Sequence, residues 1–174
     1  MWSIVFSLII TIAAIQSSQA QQKSTPSRAT PDKSRYIGLR YGGNKLPPGH
    51  KWIGGSLFSN PYHDEKQYGV TEVVKGNVRM MWFDLLTHHD AAGRAHWIIK
   101  DVLFLPPMRR NQLLFYVDCL LANQPDPELI VIADNVVRGG YYANVRHVWR
   151  ANGKTEKFEP IPVKGIKCMV VGDD

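Results

Sequence analysis

The alternation of apolar and polar positions between Val78 and Leu121 sets the frame of the chain. Val78–Leu86 places Val78, Met80 and Trp82 on one side of a period-two ladder and Met81, Phe83 and Leu85 on the other. Ala95–Leu105 repeats the pattern, with Trp97, Ile99, Leu103 and Leu105 opposed to Ile98, Val102 and Phe104. A strand apolar on both faces is covered on both, so these two are expected at the centre of an antiparallel sheet. Before them Tyr68–Lys75 is a β-branched run, and Gly76-Asn77 reads as a two-residue hairpin turn with Gly at positive φ. After them Pro106-Pro107 breaks the chain. Asn111–Gln124 is then expected to be a helix. Leu113, Leu114, Val117, Leu120 and Leu121 form its stripe, Leu, Gln and Ala favour it, and Asn111 caps it.

The flanking segments are read against that unit. Tyr36–Tyr41 is a first strand, and Lys51–Phe58 is a short strand bent at Gly54-Gly55. Glu128–Val137 is rich in Ile and Val and extended, and Arg138-Gly139-Gly140 turns. Tyr141–Ala151 fits both periods. Helix is preferred, because Arg146 and Arg150 suit the negative end of the dipole and Gly153 suits the C′ position. Lys157–Pro162 and Ile166–Val171 close the chain as strands. The expected fold class is α+β: an antiparallel sheet with one or two packed helices, in a single domain over residues 35–174.

The first residues change the picture of where this domain works. Residues 2–15 are nearly all apolar, the first basic residue is Lys23, and Ser18-Gln19-Ala20 offers small residues where a signal peptidase reads. The segment is shorter than the roughly 20 residues a membrane span needs. Residues 1–20 are therefore read as a signal peptide, and no transmembrane segment is expected after its removal. Residues 21–34 are Gln, Lys, Ser, Thr, Pro and Arg with one aliphatic side chain, and are expected to be a disordered leader. The location implied is exported, periplasmic or extracellular. In that compartment the two cysteines, Cys119 and Cys168, are expected to form a disulfide.

Several pieces resemble a group of small exported proteins of unknown function common in cyanobacteria. They are Met81-Trp82-Phe83, then Trp97 with Asp101-Val102-Leu103 and Leu105-Pro106, then Asp126-Pro127-Glu128. Val145-Arg146, Trp149-Arg150-Ala151-Asn152, Lys157-Phe158-Glu159-Pro160-Ile161 and Gly165-Ile166-Lys167-Cys168 follow in order. The resemblance covers about residues 78–168 and implies export, one compact domain and a Cys119–Cys168 pair. It carries no catalytic residues.

The chain holds 21 Lys and Arg against 15 Asp and Glu, a net charge of +6. That balance favours anionic partners such as envelope polysaccharide or a lipid surface, and export argues against nucleic acid. The basic residues cluster with aromatics between Arg138 and Lys157. Arg138, Arg146, Arg150, Lys154 and Lys157 are the candidate anion-binding set, with Arg146 and Arg150 expected to project together. His88, His89, Asp90 and His96 are the alternative, a metal site of a hydrolase, although adjacent histidines tend to diverge. Gly55-Ser56-Leu57-Phe58 lacks the second glycine of a nucleophile elbow, and no phosphate or dinucleotide loop is present. Glu72, Asp84 and Asp101 fall on expected strands, where a carboxylate pair competes with the plainer reading of a solvated rim. The function this supports is an exported accessory or binding protein without a cofactor.

Overall fold

Gly76 sits at φ +56°, as a tight hairpin turn requires, and joins β3 (Gln67–Lys75) to β4 (Val78–His89) with Lys75 opposite Val78. This is a computed structural model, and it describes residues 31–42, 45–59 and 66–170. β5 (Ala95–Phe104) returns along β4. β1 (Arg40–Gly42) lies outside β5 and β2 (Lys51–Ser59) beside β3, giving a five-stranded antiparallel sheet in the order β1-β5-β4-β3-β2. The expected bend in β2 is a bulge at Ile53, between Trp52 and Gly54.

The rest of the described chain is β as well, and the α+β expectation is overturned. The segment Asn111–Gln124 is no helix. It is β6 (Gln112–Tyr116), β7 (Cys119–Leu121) and the start of β8 (Gln124–Pro125). Tyr141–Ala151 is no helix either. After β9 (Leu129–Asp134) and β10 (Val137–Arg138), it divides into β11 (Tyr141–Tyr142) and β12 (Val145–Asn152). β13 (Lys157–Pro160) and β14 (Ile166–Met169) follow. Among the described residues the helical element is one 3-10 turn, Lys33–Arg35, so no helix there is long and apolar enough to cross a membrane.

The reason for both corrections lies in the layering. A second sheet, β13-β12-β9-β6, packs against the first on one face and against a third, β10-β11-β14-β7-β8, on the other. Ile130, Ala151, Leu114 and Tyr116 join Phe58, Tyr68, Val70, Met81 and Phe83 of the first sheet. Leu129, Val131, Ala133 and Phe115 join Cys119, Ile166 and Cys168 of the third. A strand covered on both faces is apolar at every position. β6 therefore reads Leu113-Leu114-Phe115-Tyr116, which periodicity alone does not separate from a helix. Val117 then takes φ +69°, a conformation a β-branched residue rarely adopts, where the chain turns from the second sheet into the third. β9 is buried at all six positions and needs hydrogen-bond partners along both edges. β6 supplies one edge and β12 the other.

The expected disulfide is present. Cys119 and Cys168 face each other across β7 and β14 with their Cα atoms 4.0 Å apart. The expected leader ends earlier than the sequence suggests, because Asp32 caps the 3-10 turn and Lys33 reaches Asp101 at 2.8 Å. The unit begins at Pro31, and the expected signal peptide, residues 1–20, lies with residues 21–30 outside the described residues. Tyr36, at the end of that turn, and Tyr41, within β1, cover Met80, Trp82 and Ile99 on the outer face of the first sheet.

Candidate functional site

The outer face of the first sheet is only partly covered. Tyr36, Tyr41 and His50 pack over Trp82, with their rings 5.2 to 6.3 Å from its own. Toward β2 the described residues leave this face uncovered, and a groove of about 880 Å³ opens among them. This is within the usual size of a ligand pocket. Its floor is small: Gly55 pairs with Thr71, and Leu57 with Gly69. A Cβ at Gly69 would lie 2.9 Å from the Ser56 carbonyl oxygen, so β2 and β3 approach there as only glycine permits. Trp52 and Leu57 form a wall and are each 60% exposed. Trp97 and Tyr41 form the facing wall, with Lys45 and Arg94 at the rim.

Asp84 lies in this floor opposite Gly69, and it is 1% exposed. Neither of its oxygens reaches solvent or has a hydrogen-bond partner of ordinary geometry. Burial pushes its pKa from 3.8 up to about 7, against the smaller opposing pull of the Thr71 and Tyr41 hydroxyls. Those two hydroxyls bond each other at 3.0 Å. Tyr41 is held far above its ordinary range, first by burial and then by the charge of Asp84. Trp82 Nε1 and His50 Nε2 are likewise buried without a partner under the same face.

The other two strand carboxylates are buried too, so the solvated-rim reading fails for all three. Glu72 is paired with Arg79 Nε at 2.5 Å. Asp101 takes Lys33 Nζ at 2.8 Å and the Phe158 backbone N–H at 2.9 Å. Asp84 shares no partner with either, and what sets it apart is the lack of a cation. Strand periodicity places a carboxylate on a face but does not say whether that face is covered.

The histidine cluster sits at the far end of the β4–β5 hairpin. His88 and His96 pair across it and stack with centroids 4.5 Å apart, which holds their ring planes parallel. Asp90 is occupied by the Arg94 backbone and side chain and the Ala92 N–H, and these hold it well below the usual carboxylate range. His96 Nε2 approaches it at 3.4 Å, while His89 lies opposite Ala95. Among the described residues no three His, Cys, Asp or Glu side chains are placed to hold a metal.

The basic set is dispersed and largely engaged. Arg146 is the extra residue of a bulge between Val145 and His147, which takes it out of step with Arg150. It pairs with Asp134 through Nε and Nη2, and that contact holds Asp134 below its usual range. Arg150 bridges Asp126 at 2.5 Å and Glu128 at 3.0 Å. Arg138 is exposed at the β10–β11 turn. Lys154 lies in the turn before β13, with its backbone N–H on Asn152, and Lys157 lies opposite Asn152. The carboxylates were visible in sequence at Asp126, Glu128 and Asp134, but their approach to Arg150 and Arg146 depends on the pairing of β9 with β12. Replacing Arg150 with Ala leaves two partly buried carboxylates without their shared cation. This should lower stability by roughly 1–3 kcal/mol. A urea midpoint equal to that of the parent would refute it.

No family model, no curated protein and no solved structure matches this chain.

Proposed function

We propose that the protein is an exported, non-catalytic binding module, and that it contacts an anionic component of the cell envelope through the groove on the outer face of its first sheet. The observation that carries this reading is the open end of an otherwise covered sheet. There a glycine floor lies between exposed Trp52 and Leu57, with Lys45 and Arg94 at the rim. A binding role is favoured over a catalytic one because the carboxylate in the floor is sealed from water, and a hydrolase needs water there. Export is supported by the apolar run at residues 2–15, the Ser18-Gln19-Ala20 sequence and the disulfide.

The mature protein should begin at Gln21, which mass spectrometry of the exported fraction reads directly. An intact Met1 there sinks the export claim. For the groove, the measurement is affinity electrophoresis through gels cast with polygalacturonate. The parent should be retarded, and Trp52→Ala should lose most of the retardation, at least about fivefold, since one exposed aromatic anchor contributes more than about 1 kcal/mol. Its thermal midpoint should stay within a few degrees, because exposed substitutions seldom change stability by more than ~0.5 kcal/mol. Equal retardation of parent and variant would move the binding surface elsewhere.

A further inference from the structure

We infer that the protein associates with a second copy of itself through the free edge of its first sheet. β2 pairs antiparallel with β2 of the second copy about a two-fold axis at Gly55, and the two five-stranded sheets become one. This contact does not depend on what the groove holds.

β2 ends the first sheet on its side, and among the described residues no strand pairs with its outer edge. In an antiparallel pair every second residue turns its N–H and C=O away from the partner strand. β2 is nine residues long, whereas the other edge strands, β1, β6, β8, β10 and β13, have two to five. Long edges are usually guarded by lysine or proline. From Trp52 to Ser59, β2 has neither, and no other charge. Trp52 and Leu57 are each 60% exposed and Ile53 43%. The strand is also held firmly from behind. Phe58 is buried with Tyr68 and Phe83, and Gly54 lies so close to the Tyr116 hydroxyl that a Cβ would come within 2.3 Å of it. An edge already fixed in place loses little entropy on pairing.

The sequence around Gly55 selects a second copy over an arbitrary strand. A two-fold contact requires one patch to complement itself. Ile53-Gly54-Gly55-Ser56-Leu57 reads large, small, glycine, small, large in either direction. With Gly55 opposite its own counterpart, Ser56 falls opposite Gly54, and Leu57 falls opposite the bulge at Trp52 and Ile53. Trp52, Gly55 and Leu57 share the groove face, and residues directly opposed across a strand pair share a face too. The bulky side chains therefore meet at two places along the seam, with small residues between them. A slip of one residue would set Leu57 of the groove face against Gly54 of the opposite face, so the symmetric register is the matched one. β2 supplies nine residues a side, fewer than the roughly 20–30 of a standard interface, so the dissociation constant is expected in the micromolar range.

Sedimentation equilibrium of the full exported chain from about 1 to about 500 µM should show a monomer–dimer equilibrium. Added salt should tighten it, because each copy carries a net charge of +6 and the paired strands are uncharged from Trp52 to Ser59. Leu57→Lys places a charge on the edge twice in every dimer and should weaken association at least about tenfold. The lysine stem can still cover Gly69 as Leu57 does, so the thermal midpoint of a dilute sample should stay within a few degrees. Amide hydrogen exchange of the parent reads the same contact without any variant. Alternate β2 amides should be protected at the high concentration and exchange freely at the low one. A monomer at every concentration, a Leu57→Lys dimer as tight as the parent's, or concentration-dependent protection confined to other strands overturns the pairing. Protection of the outward β2 amides that does not change with concentration would show the edge covered by the chain itself, and overturns it as well.

Discussion

Replacing Asp84 with Asn should stabilise the protein in alkaline solution and lose that advantage as the pH falls. The folded-state pKa of Asp84 is raised from 3.8 to about 7 because its carboxylate is buried without a cation. Below about pH 4 the carboxyl is protonated in both the folded and the unfolded chain and has no effect on the balance. Between about pH 4 and pH 7 the folded chain holds a proton that the unfolded chain has released, so stability falls as the pH rises. Above pH 7 the folded chain carries the buried charge and the full cost. A shift of about three pKa units corresponds to at most about 4 kcal/mol. The buried amide of Asn leaves donors of its own poorly satisfied, at about 1–3 kcal/mol. The expected net gain for the variant is then about 1–3 kcal/mol near pH 8.5, or several degrees in midpoint, turning into a loss of about 1–3 kcal/mol near pH 4. Urea unfolding of both proteins across that range gives the answer. Stability curves that run parallel would show that Asp84 titrates as an ordinary carboxyl.

Opening the Cys119–Cys168 bond should destabilise the protein by about 2–4 kcal/mol. The bond closes a loop with a sequence separation of 49, for which the chain-entropy model gives about 4 kcal/mol and real bridges often less. Its position concentrates the effect. Both cysteines are buried in the cluster that joins the second and third sheets, where Leu129, Val131 and Val148 meet Ile166. β7 and β14 are three and four residues long, and strands this short are weakly held without a tie. The Cys119→Ala/Cys168→Ala chain should therefore melt about 10 °C lower, and amide hydrogen exchange should rise first in β7, β11 and β14. A midpoint within about 2 °C of the parent would place the stability of that layer in its apolar contacts alone.

The sequence by itself determined the β3–β4 hairpin, because a Gly-Asn pair between two β-branched runs admits one tight turn. It determined the pairing of β4 with β5 through side chains apolar on both faces. It also named the two cysteines, since an even pair in a chain with an apolar leader is most simply read as a disulfide. It misjudged Leu113–Leu121, an apolar run that satisfies either period, and Tyr141–Ala151, whose mixed apolar and polar positions also fit both. Only the stacking of three sheets decided them, by giving β6 and β12 an apolar neighbour on each side and β9 a partner on each edge. Tertiary structure alone also decided the site. Arg146 and Arg150 look like free cations in sequence, and become ion pairs once β9 and β12 align Asp134, Asp126 and Glu128 with them. Asp84, Trp52 and Gly69 are remote in sequence and of unremarkable type. They acquire meaning because β2, β3 and β4 lie side by side, and because the described residues that cover that face stop before reaching them. Local pattern fixes which residues alternate, whereas burial depends on what packs above them, and that is set by the whole chain.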